Sequence, residues 1–420
     1  MKRIFIFILM ILSFVSLYAQ SRSEPGEHLT VKIAVMGLGD ELYFWWGHIA
    51  LIIEDSQRDT SRFYDYGLFS FESEHFFTNF ALGRLLYSCG VSDTSRSISP
   101  YVRENRDITI YTLDLDPAAR ERVRNFAEEN VKPENRNYFY HHFKDNCATR
   151  IRDIFDVATD GQFKAQYGEA PGRFTLRQHI RRSMWFSPVI DWFLNFLMGQ
   201  DIDQPITVWQ EMFLPSEIGN NIQEFQYNDA AGKSRKFFTL KEIVNKSIGR
   251  YEVLDEPRPL WPATLIVGLI IAAFFIICIR IQQKKPVLGR IILGISQSFL
   301  GFFFGIAGTL LYFMTFFTDH DYTYHNANIL FISPLLLAAI PLGIIVARNK
   351  NPAPTRFSGI LLKALWTYMT LGCILSMLIK LSPAFYQQNQ PTQALVLPFA
   401  LVLSFIPAWG NRIINSIKKR

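Results

Sequence analysis

The sequence predicts an α+β extracytoplasmic domain followed by an all-α, five-helix transmembrane domain, behind a signal peptide. Three observations carry this. The chain opens with two cations and a short apolar run. Five apolar segments follow residue 258. The charge divides between the halves: of 43 Lys/Arg and 37 Asp/Glu, net +6, residues 259–420 hold 13 cations and only two acids, Asp319 and Asp321. That is a surplus of 11, so residues 1–258 carry a deficit of five. The basic character comes from membrane loops and implies no nucleic acid partner.

The N-terminus has the three parts of an export signal. Lys2 and Arg3 form the charged end and Ile4 to Val15 the apolar core. Ser16-Leu17-Tyr18-Ala19 supplies a small residue before polar Gln20, so a signal peptide over 1–19 is expected. No Cys follows Ala19, which excludes a lipoprotein signal. An uncleaved anchor is the alternative, but the core is short for a span.

The mature N-terminal region, 20–258, opens with an alternating strand, Thr30 to Met36, closed by Gly37, Gly39 and Asp40. Gly47-His48 begins a second strand through Ile53, and Arg62 to Tyr66 a third, ended by Gly67. Residues 107–114 read as a fourth strand, and 117–130 as a helix capped by Asp116. After Pro133 comes Tyr138 to Cys147, then a further helix from Ala148. The expected fold is a small antiparallel sheet with helices, without repeats.

The transmembrane domain, 259–420, has apolar segments at 261–279, 291–317, 328–347, 358–379 and 393–411. Each has the roughly 20 residues that cross ~30 Å of hydrocarbon. Arg280, Lys284, Lys285 and Arg290 lie in one loop, Arg348, Lys350 and Arg356 in another, and Arg412, Lys418, Lys419 and Arg420 in the tail. The loops 318–327 and 381–392 have no Lys or Arg; Lys380 alone breaks the alternation, at a helix end where it can snorkel. The positive-inside rule then puts residues 20–258 outside and the C-terminus in the cytoplasm. Gly301-Phe302-Phe303-Phe304-Gly305 is a small-xxx-small pattern suited to bundle packing. The loop Asp319 to Asn328 is crowded with polar groups, among them His320, Asn326 and Asn328, which suggest a site at the membrane surface rather than a solvated turn.

Chemistry centres on Cys147. Cys278 and Cys373 fall in spans and read as packing residues. Cys89 and Cys147 share an oxidising compartment, so a disulfide is one reading. The other is a nucleophile: Cys147 stands at a helix start, where free N–H groups and the macrodipole favour thiolate and can hold an oxyanion. His48, at the mouth of a strand after Gly47, is the candidate base; taken alone, it reads more readily as a structural histidine in a sheet. No metal signature appears: His141 and His142 are adjacent and His28, His75 and His179 lack partners. No cofactor is expected.

The order His, polar residue, Cys resembles the circularly permuted papain-like hydrolases and acyltransferases, which include NlpC/P60-like and lecithin:retinol acyltransferase-like proteins. In that group a polar residue on the strand after the His orients the imidazole; the resemblance implies Asp65 as the nearest match, with Tyr66 second. A closer resemblance covers most of the chain. Gly47-His48, Tyr64-Asp65-Tyr66-Gly67, Asp145-Asn146-Cys147-Ala148-Thr149-Arg150 and Leu214-Pro215, followed by several spans, resemble the Lnb-type proteins, as do His320 and Asn326-Ala327-Asn328. The resemblance implies a permuted papain-like thiol domain in the periplasm and a multi-span domain in the bacterial inner membrane. It also implies N-acylation of lipoproteins, with Cys147, His48 and Asp65 catalytic. Asn146, Arg150, Tyr66, His320, Asn326 and Asn328 would bind substrate or support the site. Cys147 would take an acyl chain from a phospholipid and pass it to the amine of a diacylglyceryl-Cys lipoprotein. Both partners, like the protein, belong to the bilayer. The aromatic-rich stretch Met184–Met198 would cover the acyl chain or simply pack a core. Two rivals stay open: a papain-like cell-wall peptidase or amidase, which needs no spans, and a non-catalytic membrane protein with an inert Cys147.

Overall fold

The computed structural model describes residues 24–72, 75–348 and 352–405. The expected signal peptide, Lys350 and the basic tail Arg412–Arg420 lie outside them. The described chain forms two compact units. The first comprises the residues up to Ser70 with Leu86–Pro171 and Thr207–Arg250. The second takes Phe71–Leu85, Gly172–Ile206 and the chain from Tyr251 onward. Three stretches of the 20–258 region, Phe71–Leu85, Gly172–Ile206 and the residues from Tyr251, therefore belong to the same unit as the apolar helices.

The first unit is built on a seven-stranded sheet, larger than the small one expected. Its strands are β1 (Leu29–Met36), β2 (His48–Asp55), β3 (Thr60–Leu68), β4 (Leu86–Asp93), β5 (Ile108–Leu113), β6 (Asn137–Phe139) and the edge strand β9 (Phe238–Asn245). The order is β6-β4-β3-β2-β1-β5-β9, every pairing antiparallel. A separate hairpin joins β7 (Gln226–Asn228) and β8 (Ser234–Lys236). Alternate residues of the central strands enter two cores. Val31, Ile33, Ile49, Leu51, Tyr64 and Tyr66 meet the helices Pro117–Asn130 and Cys147–Ala158. Ala34, Met36, Ala50, Ile52 and Phe63 meet Ile98 and Tyr101 of the helix Thr94–Arg103. Coverage on both faces explains the unbroken apolar run of β2. Asp116 caps the Pro117–Asn130 helix as expected, its carboxylate accepting from Ala119 N at 2.8 Å.

Among the elements of this unit that were not foreseen are β4, β9 and the helix Thr94–Arg103. β4, Leu-Tyr-Ser-Cys-Gly-Val-Ser-Asp, has no apolar alternation and several half-exposed positions. β9 is a mostly exposed edge strand bearing Lys241 and Glu242, where charge protects an edge from further pairing. The Thr94–Arg103 helix contains Pro100, which argues locally against a helix.

In the second unit, four helical segments among the described residues are long and apolar enough to span a membrane: Trp261–Lys284, Pro286–Phe317, Ala327–Arg348 and Thr355–Ile379. The third begins in 3₁₀ turns before the α-helix Ala339–Arg348. The fifth expected segment, 393–411, corresponds in part to the shorter helix Gln390–Ser404 and continues beyond the described residues. Gly301 and Gly305 lie against Ala339 and Leu337, so the small-xxx-small pattern serves bundle packing. Phe196 and Leu197, from the aromatic stretch 184–198, are buried in the core of this helical unit.

Candidate active site

Cys147 is the first residue of its helix and is 8% exposed. The preceding turn is tied from both sides. His141 and Asp145 exchange two backbone hydrogen bonds. Arg150, one turn into the helix, grips Asp145 bidentately at 2.7 and 2.9 Å, and its guanidinium lies 3.7 Å from the Tyr138 ring centroid. Between them Asn146 forms a capping box. Its side-chain oxygen accepts from Ala148 N and Thr149 N, both at 2.9 Å, while its own N–H donates to Thr149 Oγ1 at 2.8 Å. The Asn146 Nδ2 donates to His142 O and Phe213 O. An Asn at N-cap satisfies orphan donors of the first turn. Among the described residues, the N–H of Cys147 itself has no such partner.

His48 is the first residue of β2, and its Nε2 lies 3.0 Å from Asp65 Oδ1 on β3. The β2–β3 register pairs Ala50 with Asp65. Gly67 then falls beside the imidazole, where a Cβ would approach His48 Cε1 to 2.7 Å. Glycine at 67 makes room for the ring, and its N–H donates to Asp65 Oδ1 at 2.7 Å, which fixes the carboxylate. Gly47 has a φ of +78°, the left-handed region where glycine is favoured, and this aims the chain into β2. Tyr101 stacks over His48 with ring planes 17° apart and centroids 6.2 Å apart. Arg106 supports Tyr101 from behind at 4.8 Å while donating to Gly37 O.

This environment sets the charges. Burial opposes the charged form of His48, but Asp65, Tyr101 and the Cys147 thiol together hold its pKa well above the ordinary histidine value. Burial likewise works against the Asp65 carboxylate, and His48 with the Gly67 N–H keeps it lower than usual. Cys147 also acts electrostatically on Tyr87, Tyr101 and Tyr138. A thiol, an imidazole and the carboxylate bonded to it thus lie in one unit. Tyr66, the second choice as orienting residue, points instead into the core shared with Cys89 and Cys147. Both of these cysteines are free. Burial pushes the Cys89 thiol up to about 12, so it stays protonated.

His320, Asn326 and Asn328 lie in the second unit, and all three are buried. His320 Nε2 is 3.0 Å from Phe80 O, and the Tyr322 hydroxyl is 2.7 Å from Nδ1. Asp319 N donates to Leu82 O, and Arg84 pairs with Asp319 at 2.8 Å. The loop therefore holds the short helix Phe76–Leu82. Asn326, 1% exposed, donates to Phe196 O and Leu197 O; Asn328, fully buried, donates to Phe196 O. These carbonyls end the helix Pro188–Leu197 and would otherwise be orphaned. Gln387 and Asn389 close the network through Asn326 Oδ1 and Asn328 Oδ1. The solvated-turn alternative does not describe this loop.

Sequence reasoning missed Tyr101, Arg106, Gln387 and Asn389. Tyr101 and Arg106 had no signal once β4 and its following helix went unseen. Gln387-Gln388-Asn389-Gln390 did carry one: a run of amides beside a span, like Asn326 and Asn328.

Both halves of the chain match family models. Residues 19–182 match the Lnb N-terminal periplasmic domain, and residues 255–414 the Lnb transmembrane domain. No curated protein and no solved structure matches it.

Proposed function

With the chain belonging to the Lnb family in both halves, and so a membrane protein of lipoprotein biogenesis, we propose that it is a Cys-dependent lipoprotein N-acyltransferase of the bacterial inner membrane. The observation that carries this is the His48–Asp65 pair, in electrostatic reach of a cysteine that opens a helix. The order of His, Asp and Cys along the chain supports a permuted papain-like domain.

In the first half-reaction the Cys147 sulfur attacks the ester carbonyl of a phospholipid and His48 takes the thiol proton. The tetrahedral oxyanion draws on the Cys147 N–H and the positive end of the helix. It collapses with loss of the lysophospholipid alkoxide, which receives the proton from His48, leaving a thioester. In the second, the free α-amine of a diacylglyceryl-Cys lipoprotein attacks the thioester. An amide forms, the C–S bond breaks, and the amine proton returns through His48 to the thiol. Asp65 holds the imidazole throughout. Asn146 and Arg150 are positioning residues that fix the turn before Cys147. Tyr66 packs the wall behind it. His320, Asn326 and Asn328 act as framework in the membrane unit, whose spans confine both lipid substrates to a shared surface and raise their effective concentration. The loop charges support a cytoplasmic C-terminus.

The test uses a phospholipid carrying a labelled acyl chain. The wild type should accumulate a hydroxylamine-sensitive label when no acceptor is present, and release it onto a diacylglyceryl-Cys peptide when one is added. A Cys147→Ala variant that still N-acylates would refute the scheme.

A further inference from the structure

Lys380 is the one cation that breaks the loop-charge alternation. Its surroundings differ from those of a snorkelling side chain. It is half-buried, and its ammonium donates to Asn389 Oδ1 and Gln393 Oε1, both at 2.9 Å. Each carboxamide is fixed by a second bond, Asn389 Nδ2 to Asn328 Oδ1 and Gln393 Nε2 to Ser376 Oγ. Both acceptors are neutral. Among the described residues no carboxylate lies within salt-bridge distance of Lys380. The acid that acts on it, Asp203, is already paired with Arg177 at 2.8 Å, and Arg177 adds to the positive field. An ammonium has three donors, so a third remains for an acceptor. A half-buried cation with neutral partners carries an uncompensated charge, which is costly near hydrocarbon and marks a binding function.

Gln393 also lines an apolar cleft of about 340 Å³. Its other walls include Trp261 and Leu265, Met377, Ala394 and Leu397. These residues begin the first span, end the fourth and begin the last helix, so the cleft opens at the same end of the bundle as Lys380. Deeper in, the first and last helices close together at Gly268, where a Cβ would lie 2.5 Å from Leu395 O. On the orientation implied by the loop charges, this is the periplasmic end.

We propose that this is a binding site for an anionic glycerophospholipid, the phosphodiester on Lys380 and one acyl chain in the cleft. The charge argues for a phosphate and against a neutral tail alone, since an ammonium with an unspent donor makes a charge-assisted hydrogen bond to a phosphate oxygen. The size suits a single chain segment. The inference rests on the membrane unit and is independent of acyl transfer.

The full chain, reconstituted in phosphatidylcholine nanodiscs with a minority of spin-labelled phosphatidylglycerol, tests it through the immobilised lipid fraction. The wild type should prefer phosphatidylglycerol to spin-labelled phosphatidylcholine. Lys380→Gln should lower that preference roughly fivefold, and Lys380→Arg should retain it. Ala394→Trp, which fills the cleft and leaves Lys380 in place, should remove the immobilised component. Unchanged selectivity in either Lys380→Gln or Ala394→Trp overturns the proposal. If Lys380→Gln fails to fold, Ala394→Trp alone decides.

Discussion

Two buried polar clusters among the described residues have opposite character. In the first unit, Asp65, His48 and Cys147 bring titratable groups together, and each of the two ring-and-carboxylate partners shifts the other's proton affinity. In the second, Asn326, Asn328, Gln387 and Asn389 are neutral amides that satisfy one another and the end of the helix Pro188–Leu197. A reactive site must keep some bonding capacity unspent, such as the Cys147 N–H. A framework gains most by spending all of it, because low dielectric strengthens each bond and penalises each orphan. If the contrast is right, substitutions in the first cluster act mainly on rate, and substitutions in the second mainly on folding.

The largest effect should come from Cys147, the proposed nucleophile. Cys147→Ser is expected to lower transfer by roughly 10⁴-fold or more, as loss of a nucleophile does elsewhere, with the melting temperature unchanged. Cys89→Ser should leave the rate intact, since Cys89 is a protonated core thiol. Rates with labelled phospholipid and peptide acceptor, beside thermal melts in detergent, measure both. Equal damage from Cys89→Ser with the fold retained would restore the disulfide reading.

Asp65→Asn should be next. It keeps the size of the side chain and removes the charge that holds His48 up, so the rate should fall by about 10²-fold and the His48 pKa should drop. The sign of the stability effect follows. His48 is raised on folding, so its contribution is complete below the ordinary histidine value near 6.5 and is lost as pH rises through the folded value. Asp65 is lowered, so its contribution is present above about 3.9 and is lost as pH falls through the folded value. The pair therefore stabilises the first unit most between those two ordinary values. NMR titration of the His48 ring should show its midpoint above 6.5 in the wild type and lower in Asp65→Asn. An unmoved midpoint would break the pairing.

In the framework cluster, Asn326→Ala should behave in the opposite way. It takes the Asn326 partner from Leu197 O, from the Asn328 N–H and from one N–H of Gln387, while Phe196 O keeps Asn328, at about 1–3 kcal/mol for each buried group left unsatisfied. The melting temperature should fall, while the rate per folded molecule should change little. A large loss of rate without loss of stability would move Asn326 from framework to active site.

The contrast between the clusters also marks what could be read from residues alone. Four spans were legible because apolar length is a local property, and the place of Cys147 at a helix start was legible because Asp-Asn-Cys precedes a helical pattern. The choice of Asp65 followed from a strand after His48. The pairing of Tyr101 with His48 depends on a helix containing Pro100 and on β4, whose residues lack alternation, and neither is visible locally. The amide network joins residues some 60 to 130 positions apart, as in Asn326 with Gln387 and with Phe196. Sequence showed that the polar loop at 318–328 was out of place beside a span; only the fold showed what it bonds.

Tyr66 offers the smallest effect and the finest discrimination. It precedes Gly67 and follows Asp65, so by position alone it competes to orient His48. Successive strand residues point to opposite faces. Asp65 takes the face of His48 and Tyr101, which sends Tyr66 into the opposite core with Tyr64 and Ile49. There its hydroxyl is buried near Cys89 without a hydrogen bond of normal geometry, while its backbone carbonyl accepts from Tyr138. Tyr66→Phe removes a hydroxyl whose polar neighbour is the Cys89 thiol, so stability should change by no more than a few tenths of a kcal/mol, and the rate and the His48 midpoint should not move. Should Tyr66→Phe lower the rate as far as Asp65→Asn does, the orienting role would pass to Tyr66, and the register that places Asp65 against His48 would have to give way with it.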